Sequence, residues 1–372
     1  MIVVTHLLGT GHLARALTLA QAFLRRGHQP QVVSGGFPAP HLATGAVEVT
    51  QLPPLRSDGT DFTHLIGSDG PADTAYHRQR RVRMMAAFDS FKPDVLMTEL
   101  FPFGRRGLRR EFTDLLSHAR GAADAPLICA SIRDILAPPS KPSKAEFADR
   151  MLRDFYDAVL VHADPALTPL DLSWPISDTL GARLHYTGFV APAPAAPDRQ
   201  GLGKGEIIVS TGGGDVGHYI HDAALGAARR DPRRRWRLLI GGANAAHLAR
   251  LQADAPQNAT VEAARPEFRA MLHHATASVS QCGYNTALDI LQAGTRAVFV
   301  PFDEDGEVEQ GLRAKALSAQ PGIATLPRNR LSPESLLAAL DEVARDARMP
   351  ARALFDGAAR TVEILERLKG AA

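Results

Sequence analysis

Residues 206–217 read EIIVSTGGGDVG, a short β-prone apolar run that leads directly into a glycine-rich loop. Residues 2–13 read IVVTHLLGTGHL and repeat this order, ahead of a segment with apolar residues at helical spacing from Leu13 to Leu24. A strand, a glycine loop and a helix in this order open a doubly wound α/β domain. Two such openings in a chain of 372 residues predict two domains of this kind.

The boundary between the two domains is predicted from composition. Residues 191–205 are rich in proline and glycine, which suits a semi-rigid linker. Before it, short apolar runs at 94–98, 126–131 and 158–162 are typical of buried parallel strands. We therefore predict an N-terminal domain over 1–190, a linker over 191–205, a C-terminal domain over 206–350, and a C-terminal helix over 351–372 that packs back on the N-terminal domain.

Charge and cysteine content narrow the classes of protein. The 42 Lys and Arg residues nearly balance the 40 Asp and Glu residues, so no overall positive field points to nucleic acid. Cys129 and Cys282 alone make neither a disulfide framework nor a zinc site, and no apolar segment is long enough to span a membrane. We expect a cytoplasmic protein. The arginine-rich run at 78–83, followed by Met84, Met85 and Phe88, leaves weak peripheral contact with the inner face of the membrane as an alternative to a solvated helix face.

Two residues of the N-terminal half are candidates for catalysis. His12 follows Gly11 at the turn from the first strand to the first helix, where an imidazole could accept a proton from a hydroxyl near neutral pH. Glu99 ends a predicted buried strand, and a carboxylate there can orient a histidine and stabilise its cation. A plain turn and a capping carboxylate are the alternatives.

The glycine loop of the C-terminal half is a candidate phosphate site. Backbone N–H groups of consecutive glycines can bind phosphate oxygens, and the residues concerned are Thr211, Gly212, Gly213 and Gly214. The spacing Gly-x-Gly-x-x-Gly of nicotinamide-binding domains is absent. A tight turn without a ligand remains the alternative.

Residues 280–289, SQCGYNTALD, form the richest motif. A strand-to-helix turn at Gly283, Tyr284, Asn285 and Thr286 would direct N–H groups and a hydroxyl toward a diphosphate. Asp289, one helical turn on, could bind ribose hydroxyls, and the pair Glu309–Gln310 could reach the sugar. Helix capping and surface exposure are the alternatives for each residue taken singly.

The joint spacing of these motifs resembles the MurG-like enzymes of glycosyltransferase family 28, and most closely a branch of predicted glycosyltransferases. The resemblance covers most of the chain. The motifs that carry it are Gly9–His12, Glu99 followed by Phe101–Arg106, Thr211–Gly214, Gly283–Thr286 with the acid at 289, and Glu309–Gln310. The family usually has Glu where this chain has Asp289.

The resemblance implies the GT-B architecture, in which two Rossmann-like doubly wound domains face each other across a cleft. The C-terminal domain would bind a nucleotide-diphosphate sugar, with Gly11 of the N-terminal loop also among the donor-binding residues. By family analogy the nucleotide is UDP, and its base lies near Arg265 and Phe268. No metal or other cofactor is expected, because helix N-termini and backbone amides would neutralise the departing diphosphate.

The leading hypothesis is an inverting transfer of the hexosyltransferase type to an unidentified acceptor, with His12 as base and Glu99 orienting it. Residues 51–71, expected to form a loop, would add acceptor surface. One alternative is hydrolysis of a nucleotide sugar, as in pseudaminic acid synthesis, and a more distant one is a non-hydrolysing epimerase. A nucleotide-sugar-binding protein without turnover is the alternative outside the enzymes.

Overall fold

The chain forms two compact units. The computed structural model describes residues 1–58, 61–212, 217–242, 244–302, 306–348 and 350–370, without the side chains of 61–63. The N-terminal unit comprises Met1–Ala191 and Ala353–Ala372, and the C-terminal unit comprises Pro192–Arg352. Each unit is built on its own sheet with helices between the strands, so the predicted α/β class with two parallel-sheet domains is confirmed.

The N-terminal unit contains nine described strands. They are β1 (Ile2–Val4), β2 (Gln31–Gly36), β3 (Glu48–Asp58), β4 (Asp61–Gly67), β5 (Gly70–Pro71), β6 (Val95–Glu99), β7 (Leu127–Arg133), β8 (Ala158–His162) and β9 (Leu184–Tyr186). The helices are α1 (Gly11–Arg25), α2 (Thr74–Phe91), α3 (Arg109–Arg120), α4 (Pro142–Phe155) and α5 (Asp178–Gly181), with α12 (Gly357–Gly370) returning from the end of the chain.

The strand order of this sheet is β5-β4-β3-β2-β1-β6-β7-β8-β9. All pairs from β2 through β1 and β6 to β9 are parallel. From β1 the chain moves outward on one side to β2 and then returns to β6 on the other. The loops after β1 and β6 therefore border the topological switch point, which is where open α/β sheets bind ligands.

Helices α1 and α12 pack together on the core of the N-terminal unit. Helix α1 buries the apolar face that its spacing predicts, including Leu13 and Leu17. Helix α12 adds Val362 and Leu365 to the same cluster, and both side chains are almost completely buried. The last helix is thus an integral part of the first unit.

The described part of residues 51–71, which leaves out 59 and 60, corrects one expectation, because it is not a loop. It continues β3 to Asp58 and forms β4 and β5, which pair antiparallel as an extension of the sheet. Pro53 and Pro54 make this strand hard to predict from the sequence, because proline is rare in strands. They lie where the pairing of β2 with β3 shifts register, between the pairs Ser34–Gln51 and Gly36–Leu55, and a bulge is one of the places where a strand tolerates proline.

Helix α2 carries the arginine-rich run and the apolar residues that left membrane contact open as an alternative. Met84 and Phe88 are buried in the N-terminal unit. Arg80, from the arginine-rich run, is fully buried and donates to both carboxylate oxygens of Glu111 at 2.9 and 2.8 Å. Met84, Phe88 and Arg80 thus pack inside the N-terminal unit, and membrane contact stays an untested alternative.

The C-terminal unit contains a six-stranded parallel sheet of order β12-β11-β10-β13-β14-β15. Its strands are β10 (Glu206–Ser210), β11 (Arg235–Ile240), β12 (Ala259–Ala263), β13 (Ala277–Ser280), β14 (Ala297–Phe299) and β15 (Ile323–Thr325). Its helices are α6 (His218–Arg230), α7 (Ala245–Asp254), α8 (Phe268–Leu272), α9 (Tyr284–Ala293), α10 (Glu309–Leu317) and α11 (Pro333–Val343). The switch point of this sheet lies between β10 and β13.

The predicted linker is partly packed onto the C-terminal unit. The Asp198 carboxylate accepts hydrogen bonds from the backbone N–H groups of Gln200 and Leu202, both at 2.9 Å. Leu202 packs against a small cluster that contains Ile208 and Met271. Among the described residues, no helix is long and apolar enough to cross a membrane.

Candidate functional site

The N-terminal unit brings His12 and Glu99 together at its switch point. His12 is the second residue of α1, and Glu99 is the last residue of β6. The His12 Nδ1 donates a hydrogen bond of 2.9 Å to Glu99 Oε1. Since an ionised carboxylate only accepts, the proton of the imidazole lies on Nδ1, and Nε2 keeps the lone pair that could take a proton.

Glu99 is held by two further donors. Its side chain is only 1% exposed, Arg15 Nη2 donates to the same Oε1 as His12, and Ser131 donates to Oε2 at 2.7 Å. Burial alone would raise the pKa of the Glu99 carboxyl. The charge of Arg15 and the hydrogen bonds from His12 and Ser131 outweigh burial and hold the pKa below its usual range, so Glu99 is ionised.

His12 is a neutral imidazole. Burial lowers its pKa to about 3 in spite of the hydrogen bond to Glu99, and the positive charges of Arg105 and Arg15 lower it further. Its side chain keeps 13% of its surface exposed. His12 thus combines the form that accepts a proton with access to solvent and a carboxylate that would stabilise the cation once formed.

A buried polar chain continues behind Glu99 along the strand ends. Ser131 on β7 faces Glu99 in register, and its Oγ accepts from His162 Nε2 at 2.9 Å. The His162 Nδ1 lies 2.9 Å from Thr187 Oγ1. Burial lowers the pKa of His162 to about 3, so this histidine is also neutral. The hydrogen bonds from Thr187 through His162 fix the orientation of the Ser131 hydroxyl, and this hydroxyl in turn fixes the orientation of the Glu99 carboxylate.

The C-terminal unit has a second set of predicted residues at its own switch point. Thr211 and Gly212 follow β10, while Gly283 follows β13. The two loops lie against each other, because a Cβ built on Gly217 would be 2.6 Å from Gln281 Nε2 and 3.1 Å from Thr211 Cγ2. Gly213 and Gly214, predicted as phosphate-binding residues, lie outside the described residues.

Helices α6 and α9 both begin at this switch point without side-chain caps. Their N-caps are Gly217 and Gly283, and glycine has no side chain that could accept a hydrogen bond from the first turn. A Cβ built on Gly212 or Gly283 would meet nothing within 4 Å, so the backbone borders open space. The N–H groups of the first turns and the positive end of the helix dipole suit an anion.

The residues of the 283–286 motif divide between the surface and the interior. Asn285 is exposed and Thr286 half-buried in the first turn of α9, whereas Tyr284 is buried. The guanidinium of Arg313 lies over the Tyr284 ring at 5.8 Å and donates to the Cys282 carbonyl at 3.0 Å. Asn285 and Thr286 are therefore available to a ligand, while Tyr284 supports the turn.

Asp289 has a partner within the protein. Its Oδ1 accepts from Arg269 Nε at 2.7 Å, and Arg269 also donates to the Gln292 side chain at 3.1 Å. Burial raises the pKa of Asp289 while the charge of Arg269 lowers it. The structure thus gives Asp289 a place in an ion pair between α8 and α9.

Arg265 and Phe268, predicted near the nucleotide base, both make contacts inside the unit. Arg265 donates to Glu262 at 3.2 Å and to Glu267 at 3.3 Å. Phe268 is half-buried and packs against the small core cluster rather than standing free as a stacking surface.

Gln310, predicted to reach the sugar, lies at the start of α10 beside Glu309. Its side-chain oxygen accepts from the Phe302 N–H at 3.2 Å. This bond leaves the amide nitrogen of Gln310 for other contacts. Gly11 is the exposed first residue of α1, in the N-terminal unit with His12. Among the described residues, no cluster of His, Cys, Asp or Glu side chains could hold a metal ion.

Three residues of the N-terminal site were absent from the predicted set: Arg15, Ser131 and Arg105. Arg15 lies one helical turn after His12 and therefore on the same face, a signal the sequence contains. Ser131 ends the apolar run next to that of Glu99. Arg105 falls inside the quoted motif Phe101–Arg106. The spacing of the sequence does not indicate which arginine of this motif, Arg105 or Arg106, points into the site.

Comparison with known proteins agrees with this arrangement. Residues 208–360 match the family model described as the glycosyltransferase family 28 C-terminal domain. Similar solved structures include CalG4, the calicheamicin glycosyltransferase, at 18% identity over 99% of this chain and 93% of that chain, with a TM-score of 0.62. MurG from Acinetobacter baumannii is 17% identical over 98% of this chain and 99% of that chain, with a TM-score of 0.62. Comparison with curated proteins gives no match.

VinC, a glycosyltransferase solved in complex with dTDP, is 14% identical, with full coverage of both chains and a TM-score of 0.59. At these identities the structural likeness concerns the fold, and that fold is the GT-B fold of glycosyltransferases. Residues 208–360 match the family 28 C-terminal domain, and MurG is among the solved structures with the same fold, so the resemblance to MurG-like glycosyltransferases of family 28 seen in the sequence is confirmed.

Proposed function

We propose that the protein transfers a sugar from a UDP-linked donor to an acceptor hydroxyl, with inversion and without a metal ion. The observation that carries this proposal is the hydrogen bond between His12 and Glu99 at the switch point of the N-terminal unit. A neutral histidine beside an ionised, buried carboxylate is the arrangement that general-base catalysis needs.

In the proposed reaction, His12 Nε2 takes the proton of the acceptor hydroxyl as its oxygen attacks the anomeric carbon. The new C–O bond forms as the bond from the same carbon to the nucleoside diphosphate breaks. Displacement in one step inverts the anomeric configuration. Glu99 stabilises the imidazolium that results, and Arg15 and Ser131 keep Glu99 in place.

The donor part of the proposal rests on the C-terminal unit. The N-termini of α6 and α9, whose N-caps are Gly217 and Gly283, direct N–H groups toward a diphosphate, and Asn285 and Thr286 lie in the first turn of α9. Developing negative charge on the leaving diphosphate would be stabilised by these groups, which is why we propose a reaction without a metal. The structure of a related fold with dTDP supports a nucleoside diphosphate as the ligand class.

A first experiment tests donor binding. Thermal unfolding of the purified protein would be recorded with UDP, GDP, dTDP and their sugars, because a ligand of the folded state raises the melting temperature. We expect one nucleotide, UDP, to give a selective shift that is reduced in Asn285→Ala and Thr286→Ala. If no nucleotide at millimolar concentration shifted the melting temperature, the proposed donor site would be wrong. If only dTDP or only GDP shifted it, that nucleotide and not UDP would be the donor nucleotide.

A second experiment tests the role of His12. Transfer would be measured with the identified donor and a panel of hydroxyl acceptors. The His12→Asn substitution should lower kcat by about 10²- to 10⁴-fold and leave the nucleotide-induced thermal shift intact. His118→Asn, at an exposed histidine of α3, is the matched control and should retain full activity. Equal kcat in His12→Asn and the wild type would remove His12 as the base.

Hydrolysis is the second candidate, because water can replace the acceptor at the same His12 Nε2. Product analysis separates the two. Free sugar released at the same rate with and without every acceptor would establish the hydrolase, whereas acceptor-dependent release of nucleoside diphosphate would establish the transferase. Binding of the nucleotide sugar without any release would identify a non-catalytic binding protein.

A further inference from the structure

The loop from Leu100 to Arg105 is fixed by buried aromatic rings. Phe101 is fully buried and stacks on Phe112 with ring centroids 4.6 Å apart, and Phe103 contacts Trp174 edge to face at 5.2 Å. The Phe101 carbonyl also accepts from Thr98 Oγ1 at 3.0 Å. These contacts of Phe101 and Phe103 hold the loop in place, and Arg105 lies at its end.

Arg105 is held at the end of this support in an unusual conformation. Its φ is 56°, in the left-handed region that non-glycine residues seldom adopt, and Leu100 at the other end of the loop has a φ of 70°. Such backbone conformations carry a cost and occur preferentially at ligand sites. The conformation aims the side chain of Arg105 back toward β1, where its Nε donates to the Thr5 carbonyl at 2.7 Å.

The terminal amino groups of Arg105 have no hydrogen-bond partner among the described residues. Arg80 provides the contrast within the same unit, because it is fully buried and its guanidinium is satisfied by Glu111 and backbone carbonyls. Arg105 is tied to the protein through one nitrogen only and is not fully buried. A purely structural arginine would be satisfied as Arg80 is.

The surroundings of Arg105 carry an excess of positive charge. Its charge lowers the pKa values of both His6 and His12, which places the guanidinium beside them. Glu99 is the carboxylate that acts on Arg105, but Glu99 already pairs with Arg15 and accepts from His12 and Ser131. With both histidines neutral, two arginines face one carboxylate among the residues that the structure describes, which leaves one positive charge without a counter-charge there.

Burial lowers the pKa of Arg105 to about 10, so the guanidinium has lost part of its hydration and is still protonated at neutral pH. A partly desolvated cation without a full counter-charge favours an incoming anion. Two parallel N–H groups of a guanidinium match the two oxygens of a carboxylate or phosphate.

We propose that Arg105 binds a carboxylate or phosphate group of the acceptor, beside the hydroxyl that His12 deprotonates. The inference rests on the proposed function and specifies its acceptor class: a hydroxyl compound that carries an anionic group, such as a sugar acid or a phosphorylated alcohol. A neutral acceptor would leave the positive charge of Arg105 without a partner.

The test uses the full chain with ¹³C-labelled histidines and inorganic phosphate as the probe. The His12 signal, assigned by its loss in His12→Asn, would be followed by NMR as phosphate is added. We expect a saturable shift in the wild type and at least tenfold weaker phosphate binding in Arg105→Gln. Arg109→Gln removes the same charge from an exposed position four residues on and should bind phosphate as the wild type does.

Two further arms separate the source of the anion from a folding defect. Saturating UDP should leave the phosphate effect on His12 in place, whereas displacement of phosphate by UDP would assign the anion to the donor and overturn the proposal. Arg105→Lys keeps the charge and should retain weakened, saturable binding with an unchanged His162 signal. No saturable shift in the wild type, or equal binding in Arg105→Gln, would also overturn it.

This titration needs no turnover, so its outcome is independent of whether the protein transfers sugar. If phosphate did not bind at Arg105 but the protein still transferred sugar to an acceptor, only the proposal of an anionic acceptor would be wrong. Absence of transfer to any acceptor, with phosphate binding at Arg105 intact, would remove the proposed function and leave an anion site to explain.

Discussion

At the scale of single residues, Glu99 is the side chain that organises the N-terminal site. It receives a hydrogen bond or ion pair from His12, Arg15 and Ser131 while only 1% of its side chain is exposed. Replacing any one donor changes the charge distribution felt by the other two. The histidine and the carboxylate therefore act as a unit, and the effects of their substitutions should not add.

The buried histidines make stability depend on pH in a defined direction. His162 is fully buried, and burial lowers its pKa to about 3, whereas an unfolded histidine titrates near 6.5. Below pH 6.5 His162 therefore binds a proton in the unfolded chain but not in the folded protein. Acid consequently favours unfolding. Between pH 7 and pH 5 this single group should cost about 2 kcal/mol of unfolding free energy.

Urea unfolding of the wild type and of His162→Gln at pH 7 and pH 5 measures this effect. The variant should lose about 2 kcal/mol less than the wild type on acidification, even if it is less stable at both values. Identical losses in His162→Gln and the wild type would show that His162 is protonated in the folded protein.

At the scale of elements, the first turn of α9 is the feature on which donor binding should depend. The Gly283 backbone has φ −64° and ψ 151°, which alanine adopts readily, and a Cβ there would point into open space. Gly283→Ala should change the unfolding free energy by less than about 1 kcal/mol. Its methyl group would occupy the space next to the first-turn N–H groups, so nucleoside diphosphate affinity should fall at least tenfold, or about 1.4 kcal/mol.

Calorimetric titration with UDP would measure the affinity, and thermal unfolding would check the fold. The control is Gly181→Ala in α5, where the added Cβ would make only an ordinary contact of 3.7 Å with Ile176. That variant should bind UDP like the wild type. Unaltered affinity in Gly283→Ala would mean that the diphosphate does not approach this turn.

The elements also show which information the sequence contains. Both strand–glycine–helix openings could be predicted because a glycine loop between a β-prone run and a helical repeat leaves few alternatives. The position of Glu99 at a strand end followed in the same way. Strand β3 was hidden because Pro53 and Pro54 lower strand propensity, and only its pairing with β2 reveals the bulge that accommodates them.

Side-chain pairing was the part that could not be predicted. Asp289 and Arg269 lie 20 positions apart on different helices, and Arg80 and Glu111 lie 31 positions apart. Spacing within one helix says nothing about which residue of another helix will approach. For that reason a ribose ligand and an ion-pair partner were equally compatible with the local sequence around Asp289.

At the scale of the whole molecule, the return of α12 to the N-terminal unit makes that unit discontinuous in sequence. Leu365 is 1% exposed in the cluster that α1 and α12 share. Leu365→Ala should lower the unfolding free energy by about 2–5 kcal/mol, because it removes buried apolar volume and leaves a cavity. Urea unfolding followed by circular dichroism would measure the loss.

Leu172→Ala is the matched control, since Leu172 belongs to the same unit and is 41% exposed. Its effect should stay within about 0.5 kcal/mol. A loss in Leu365→Ala as small as in the control would mean that α12 contributes little to the N-terminal unit in solution.

The discontinuity also sets an order for events during biosynthesis. A ribosome makes all of Pro192–Arg352 before it reaches the segment that completes the first unit. At about 5–20 residues per second, the apolar face of α1 waits for its partner for roughly 10–40 s after residue 191 has been made. The contiguous second unit can finish folding in that interval. The first unit can thus complete its core only after the second unit has been made.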